Sequence, residues 1–110
     1  MPLDPITPPV NVYEGHDQMS VALPIPGAHP EHVEVVVSPT TVVVRADCKY
    51  PQEAQHYHRH DWRVGSVRAE TSLPRRVDPA RSRATLNLGV LVVIAPVSES
   101  GSGEHRPRVE

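Results

Sequence analysis

The sequence has no phenylalanine, one tryptophan and three tyrosines, so aromatic rings cannot form the bulk of a hydrophobic core. Valine and leucine must fill most of it, and β-branched valine favours strands over helices. The only cysteine, Cys48, excludes an internal disulfide. A chain without disulfides fits a reducing compartment, so we expect a cytoplasmic location. Neither a secretory signal nor an apolar run long enough to span a bilayer is visible.

An excess of charge is also lacking: the formal net charge is -2, from 11 basic and 13 acidic residues. This balance gives no electrostatic attraction to polyanions, so we expect neither nucleic acid nor a membrane as a partner. The 13 prolines argue against long helices. A length of 110 residues is that of one domain able to bury its own core.

The longest apolar stretch lies at residues 84–96, and the rest of the chain is expected to pack around it. Gly89 interrupts this stretch and suits a bend between two strands, because glycine adopts a positive φ without steric cost. Both alternating sets of residues 90–94 are apolar. A strand of this kind is expected to be covered on both faces.

Alternation of apolar and polar residues predicts further strands, at residues 10–14, 18–23, 33–37, 41–46 and 64–73. Asp78 followed by Pro79 predicts a turn or a single helical turn, with Asp78 as the cap and Pro79 at the first position. Short strands separated by turn residues predict an all-β fold. We expect an immunoglobulin-like antiparallel β-sandwich of about seven to eight strands with a long arm loop.

Two segments are predicted to flank the sandwich domain, which spans residues 10–97, and a third to form a long loop within it. Residues 1–9 hold four prolines and should form a short disordered N-terminal arm. Residues 98–110 are a Ser/Gly/Glu/Arg stretch with nothing to bury, which predicts a flexible C-terminal tail. Residues 47–63 are polar and lose the period of two, so they are predicted to form a long loop with one short edge strand at most.

Four segments carry a resemblance to one protein family, in that family's order. Residues 10–14 resemble its opening strand, and residues 23–27 (LPIPG) with residues 30–35 resemble its "PG" turn and the following strand. Residues 73–79 resemble its "LP-x-x-VD" segment, and residues 84–91 its "A-x-x-x-x-G-V-L" signature. The chain therefore resembles, over about residues 10–96, the alpha-crystallin domain of small heat-shock proteins of the bacterial type.

Several positions depart from this pattern. Leu88 stands before Gly89, where the family usually has Asn or Asp. Residues 65–69 match the family's "G-x-F-x-R" segment without its aromatic residue. The N-terminal arm is short, and no two aliphatic residues lie two apart after Pro96, so the family's "I-x-I" tail motif is missing.

The resemblance implies an ATP-independent chaperone (a holdase) that binds unfolding client proteins through exposed apolar surface, as part of a stress response. It also implies a groove between the strand at residues 33–37 and the strand at residues 83–88, which accepts the aliphatic tail motif of a neighbouring subunit. The residues predicted to line this groove are Val35, Val37, Leu86 and Leu88. Because the tail motif is missing, the groove is expected to be unoccupied.

The resemblance further implies a homodimer formed by exchange of the arm at residues 47–63. Residues 55–60 would lie beside residues 10–14 of the partner and cover an open strand edge. The predicted interface comprises Val10, Val12, Tyr13, Glu14, Gln55, His56, Tyr57, His58 and Trp62. A larger homo-oligomer is expected only if further terminal segments exist in the full protein.

Several polar clusters have both a functional and an ordinary interpretation. His56, His58 and His60 can share a strand face and bind zinc, but a solvated arm is the better interpretation. Their protonation at acidic pH would weaken the dimer. Cys48 is interpreted as an incidental thiol rather than a redox sensor. The basic cluster is interpreted as a solvated connector; it comprises Arg75, Arg76, Arg81 and Arg83.

No spacing of Ser, His and Asp indicates a catalytic centre, so we expect no enzyme activity, cofactor or metal. An alternative to the holdase is a co-chaperone of the related CS type, a sandwich that docks on a specific folded partner. The signature at residues 84–91 and the long arm loop favour the holdase. A monomer with a short, folded-back loop would favour the CS type.

Overall fold

A computed structural model describes residues 5–49, 55–62 and 64–110 of the chain. These residues form seven β-strands and a single 3-10 turn at Pro79–Arg81. The strands are β1 (Asn11–Gly15), β2 (Gln18–Pro24), β3 (Ala28–Val37), β4 (Thr41–Cys48), β5 (Ser66–Ser72), β6 (Arg83–Asn87) and β7 (Val90–Pro96). The 3-10 turn confirms the predicted cap, because the Asp78 carboxylate accepts a hydrogen bond from the Ala80 N–H at 3.1 Å.

The strands form two antiparallel sheets, which confirms the predicted sandwich. One sheet has four strands in the order β1-β2-β7-β6, and the other has three in the order β3-β4-β5. Strand β7 lies in the interior of the four-stranded sheet, as its apolar sequence predicts. The edge strands among the described residues are β1 and β6 in one sheet, and β3 and β5 in the other.

The core lies between the sheets and is built mainly from valine and leucine. Alternate residues of each central strand point into it: Met19, Val21 and Leu23 from β2; Val42, Val44 and Ala46 from β4; Leu91, Val93 and Ala95 from β7. The opposite face of β7 differs from the expectation of full cover. Val92 and Ile94 are half-buried and Val90 is exposed, because no further layer of the described chain packs on that face.

Residues near the N-terminus pair with the outer edge of β5, where we expected a disordered arm. The Ile6 N–H donates to the Ser66 carbonyl at 2.8 Å, and the Arg68 N–H donates to the Ile6 carbonyl at 3.0 Å. Ile6 packs against the core and Pro8 is buried. Ile6 therefore gains both backbone and apolar contacts. The preceding residues of the predicted arm lie outside the described ranges.

The tail, residues 98–110, also differs from its prediction. Gly101, Pro107 and Val109 are buried, and Val109 belongs to the core cluster. The expectation that this segment has nothing to bury is therefore wrong. Its course along the two sheets is described with the site below.

Candidate functional site

The predicted groove lies where the edges of β3 and β6 face one another across the sandwich. On the β3 side, Val35 and Val37 are completely buried. On the β6 side, Leu86 is half-buried against the core. Leu88, the fourth predicted residue, is 95% exposed in the turn between β6 and β7. The structure therefore places Val35 and Val37 on β3, Leu86 on β6 and Leu88 beyond the end of β6.

The tail crosses this groove from the edge of β3 to the edge of β6. His105 and Val37 exchange two backbone hydrogen bonds, of 2.8 and 2.9 Å. Further along, the Leu86 N–H donates to the Glu110 carbonyl at 2.8 Å, and the Glu110 N–H donates to the Ala84 carbonyl at 3.1 Å. The tail therefore adds a short parallel segment to β6, bridged at Ala84 and Val109. Both sheets contribute an edge to its binding.

Two tail side chains fill the groove, Pro107 and Val109. Both are buried, and Val109 is 8% exposed. The expectation of an unoccupied groove is therefore wrong: the groove is filled by the chain's own tail. Sequence reasoning missed this because proline is not counted as an aliphatic residue. The signal was present as the polar/apolar alternation of residues 106–110, which has the period of a strand.

The free energy of this closure is a small difference between larger quantities. Burial of Val109 contributes roughly 1.5–3 kcal/mol, and each of the four backbone hydrogen bonds about 0.5–1.5 kcal/mol. Ordering residues 105–110 costs about 1–2 kcal/mol for each residue. Arg106 and Glu34 form an ion pair at 3.6 Å, but both side chains are exposed, so the pair adds little. The favourable and unfavourable contributions to this closure are therefore of similar size.

The second candidate surface is the outer edge of β1. This strand pairs only with β2 among the described residues, and all five of its residues are exposed. Val12 and Tyr13 are 38% and 51% exposed. Glu14 forms an ion pair with Arg75 at 2.5 Å, which ties β1 to the segment after β5. An open edge with apolar side chains beside it is suited to pairing with another chain.

The other predicted interface residue near β1 is Val10. It lies just before the strand and is half-buried against the core. The structure therefore brings Val12, Tyr13 and Glu14 to one exposed edge, and leaves Val10 at its inner end.

Of the predicted arm, Asp47 and Cys48 belong to the end of β4, whereas residues 55–62 are exposed throughout and form no regular strand. The rings of Tyr57 and His60 stack at 4.2 Å, whereas His56 and His58 meet edge to face at 5.3 Å. The His60 ring therefore packs on Tyr57, whereas the His56 and His58 rings pack on each other. Within the described ranges, no three or more His, Cys, Asp or Glu residues are grouped closely enough to hold a metal ion. The predicted arm residues 50–54 and 63 lie outside those ranges.

Trp62, at the far end of the arm, lines an apolar cavity of about 220 Å³ on its own subunit. Other side chains around this cavity include Ile6, Pro24 and Ile25. Half of the Trp62 surface remains exposed, at 51%. The end of the arm, at Trp62, therefore packs against its own domain.

Cys48 lines the same cavity from the end of β4. Burial raises the pKa of its thiol, and the negative charge of the neighbouring Asp47 raises it further. The thiol is 5% exposed. A buried thiol with a raised pKa is a poor nucleophile, because the thiolate is the reactive form. The side chain acts as a small core residue.

None of the described residues forms a helix long and apolar enough to cross a bilayer. The only helical segment in those ranges is the 3-10 turn at Pro79–Arg81.

Solved structures of small heat-shock proteins have the same fold. Heat shock protein 16.0 from Schizosaccharomyces pombe has a TM-score of 0.76 and 24% identity, over 88% of this chain and 71% of its own. The hspA from Xanthomonas axonopodis has a TM-score of 0.76 and 22% identity, over 91% of this chain and 100% of its own. For a small heat-shock protein from Xylella fastidiosa, described as having a distinct high order structure, the TM-score is 0.72, the identity 24% and the coverage 87% and 90%.

A family model described as the Hsp20/alpha crystallin family matches residues 11–110. A search of curated protein sequences gives no match. The matched residues run from the first residue of β1 to the last residue of the tail, so they include both candidate surfaces.

Proposed function

Because this chain belongs to the Hsp20/alpha crystallin family, we propose that it is an ATP-independent holdase that binds unfolding proteins and limits their aggregation. The family and the structural neighbours are small heat-shock proteins, which supports a chaperone role. The holdase mechanism itself is the proposal. It needs no catalytic residues or nucleotide, only apolar surface on a stable frame.

The observation that carries the proposal is the open edge of β1 with its exposed Val12 and Tyr13. An unfolding protein exposes extended backbone and apolar side chains together. A free strand edge satisfies the backbone groups of such a segment, and neighbouring apolar side chains bury its apolar ones. The binding is weak for each segment and therefore reversible.

The same edge supports the proposed homodimer, so the arm of the partner and a client segment would compete for β1. Exchange of the arm would place Gln55, His56, Tyr57 and His58 of one subunit beside β1 of the other, with Trp62 at the end of the contact. The exposure of residues 55–62 and of all five residues of β1 supports this pairing. The two contacts would be related by a two-fold axis.

The groove lined by Val35, Val37 and Leu86 is proposed as a second site for apolar segments of clients or neighbouring subunits. It is filled by the tail in the closed state, so it becomes available only when the tail leaves. The chain is further proposed to be of the bacterial type, to work in the cytoplasm and to act without a cofactor or enzyme activity.

The experiment is light scattering by a heat-unfolded client, with and without this protein and with no nucleotide added. We expect scattering to fall in its presence. The Tyr13→Asp variant should lose much of this effect, because a charge replaces the exposed ring beside the open edge. Asn11→Asp is the matched control, since it adds the same charge on the same face of β1. Unchanged scattering with a several-fold excess of the wild-type chain would argue against a holdase.

The alternative of a CS-type co-chaperone predicts a different oligomeric state. A docking module of that kind is a monomer, whereas arm exchange gives a dimer. Native mass measurement distinguishes them: a monomer at all concentrations would contradict the exchanged dimer.

A further inference from the structure

We propose that the outer face of the four-stranded sheet binds a free fatty acid, with the carboxylate of the ligand at Arg81 and Arg83 and its alkyl chain along β7. This inference is independent of the proposed function. It concerns a small ligand on a sheet face, whereas the proposed function concerns a client protein at a strand edge.

The four arginines of residues 75–83, which the sequence predicts to be solvated, separate into two pairs in the structure. Arg75 forms an ion pair at 2.5 Å, and the Arg76 Nε donates to a backbone carbonyl at 2.8 Å, both within the chain. Arg81 and Arg83 form no ion pair with any other described residue. Their two guanidinium groups therefore remain available to an external anion.

Arg81 and Arg83 line the same cavity, of about 410 Å³, at one end of the outer face. The other polar residues around it are His16, Asp17 and Gln18, from the turn before β2 and the start of β2. Asp17 carries the one carboxylate among the described residues that line this cavity, so two guanidinium groups outnumber it. The cavity is thus positively charged in a chain whose formal net charge is -2. A carboxylate ligand fits it, because a planar guanidinium donates two parallel hydrogen bonds to a carboxylate.

Backbone hydrogen bonds hold both sides of this cavity in place. On one side, the Asp78 N–H donates to the Pro96 carbonyl at 2.9 Å, which ties the 3-10 turn ending at Arg81 to the end of β7. On the other side, the Val97 N–H donates to the Asp17 carbonyl at 2.8 Å. Only side chains therefore lose freedom when an anion binds, which keeps the cost of ordering low.

An apolar stripe begins at the cavity and follows the outer face of β7. Ile94 lines the cavity and pairs directly with Arg83 of β6, so both side chains lie on this face. Val92 and Val90 continue the stripe; Val92 is half-buried and Val90 is 40% exposed. Ala22 of β2 pairs with Val92 and widens the stripe on its other side. Contiguous apolar surface left in water is typical of a binding site.

The length of the stripe sets the length of the ligand. From Ile94 to Val90 the strand rises by about 14 Å, at roughly 3.4 Å for each residue. With C–C bonds of about 1.5 Å in a zigzag, an extended alkyl chain of about ten to twelve carbons spans that distance. The charge at one end and the apolar stripe beyond it therefore match a fatty acid of medium length.

A second copy of the chain matches this face less well. The residues that the four strands present on it include neither Asp nor Glu. Stacking two such faces would therefore bury the apolar stripe but bring no carboxylate from a strand to Arg83.

The test is an NMR titration of the full chain with decanoate, below the concentration at which decanoate forms micelles. We expect saturable shifts of the amides of residues 81–83 and 90–94. Decanol lacks the charge and should bind about tenfold more weakly or less. Octanoate is two CH₂ groups shorter and should also bind about tenfold more weakly. Equal affinity for decanoate and decanol, or shifts confined to other surfaces, would overturn the proposal.

Two variants test the two halves of the site, each with a matched control. Arg83→Glu should weaken decanoate binding by about tenfold or more. Arg108→Glu makes the same change of charge at an exposed tail residue and should bind like the wild type. Val92→Thr should weaken binding by roughly threefold to fivefold. Its control is Val43→Thr, at a half-buried valine on the outer face of β4, the middle strand of the other sheet. Equal affinity within either pair would contradict the site.

Two other occupants of this face give different results. A native mass that falls in Val92→Asp but not in Val43→Asp would assign the face to a second copy of the chain. Binding to phosphatidylglycerol vesicles without binding to monomeric decanoate would assign it to a membrane surface. Either result would overturn the proposal.

Discussion

Gly101 lies so close to Val77 that a Cβ atom placed on it would stand 1.9 Å from the Val77 carbonyl oxygen. A side chain of any size is therefore excluded at this point. Both residues belong to segments that the sequence marks only as connectors, yet Val77 is completely buried. The contact fixes the position of the start of the tail, whose later residues hydrogen bond to β3 and β6.

The Gly101→Ala variant should displace this part of the tail, because the main chain of Val77 cannot yield as a flexible side chain would. We expect a loss of about 1–3 kcal/mol in the free energy of unfolding. Urea unfolding gives that free energy, and hydrogen exchange should show reduced protection of the Leu86 amide. Gly103→Ala is the comparison: it lacks a clash but is strained by its positive φ. Equal loss of Leu86 protection in both variants would contradict a specific role for the Gly101 contact.

The core prediction concerns two adjacent residues of β7 on opposite faces of the sheet. Leu91 is completely buried between the sheets, whereas Val92 is half-buried on the outer face. Leu91→Ala should lower the free energy of unfolding by about 2–5 kcal/mol, since it leaves a cavity. Val92→Ala should lower the free energy of unfolding by clearly less than Leu91→Ala does. Urea midpoints of both variants check this, and similar midpoints would mean that the two faces of β7 are equally covered.

A turn residue offers a stabilising substitution. Leu88 has a φ of +53° and Gly89 a φ of +78°, so the two residues form a hairpin turn with both central residues in the left-handed region. This conformation costs an ordinary residue roughly 1–2 kcal/mol, and asparagine tolerates it better. Leu88→Asn should therefore raise the free energy of unfolding, by about 1 kcal/mol at most.

The matched control for this turn is Leu88→Val. It keeps an apolar side chain at a 95% exposed position but adds β-branching, which is less compatible with a positive φ. It should destabilise the protein. If both variants unfold at the wild-type urea concentration, backbone strain at this turn is too small to matter.

The raised pKa of Cys48 predicts how the free energy of unfolding changes with pH in the alkaline range. Burial and Asp47 raise its pKa above the ordinary value of 9.0, so the folded state holds the thiol proton more tightly than the unfolded state does. Stability should therefore fall as the pH rises from about 9 towards the folded-state pKa. Cys48→Ala should remove this part of the alkaline loss.

The same thiol should react slowly with iodoacetamide at neutral pH, because it is buried and protonated. Reaction of the chain in concentrated urea supplies the fast reference rate. Rapid alkylation of the native protein would show that the end of β4 opens readily.

The strand pattern was predictable because most strands place apolar residues at alternate positions. Strand β4 alternates buried and less buried residues across its whole length, and its start at Thr41 was predicted correctly. Strand β3 begins five residues before the predicted start at Val33. Its first half was not predicted, because Pro30 interrupts the alternation and the register shifts between Ala28 and Val33. Local sequence does not encode an irregularity that a neighbouring strand accommodates.

The candidate site was only partly predictable for a different reason. Val35, Val37 and Leu86 were predicted from their positions within strands and from the resemblance, and the structure places them on β3 and β6, the two strands that the tail joins. Leu88 looked equivalent by alternation, but the chain turns immediately after Asn87. The seating of the tail was not predictable from its composition, because two buried side chains and four backbone hydrogen bonds hold it against edges that are distant in sequence.

The two sheets also differ in how far apart along the chain their strands lie. Strands β3, β4 and β5 follow one another, whereas β2 pairs with β7, joining Gln18 to Pro96. Closing so long a loop is slow. During synthesis the three-stranded sheet can therefore form first. The four-stranded sheet is complete only after β6 and β7 have left the ribosome. A protein proposed to bind incompletely folded proteins is therefore itself incompletely folded until its synthesis ends.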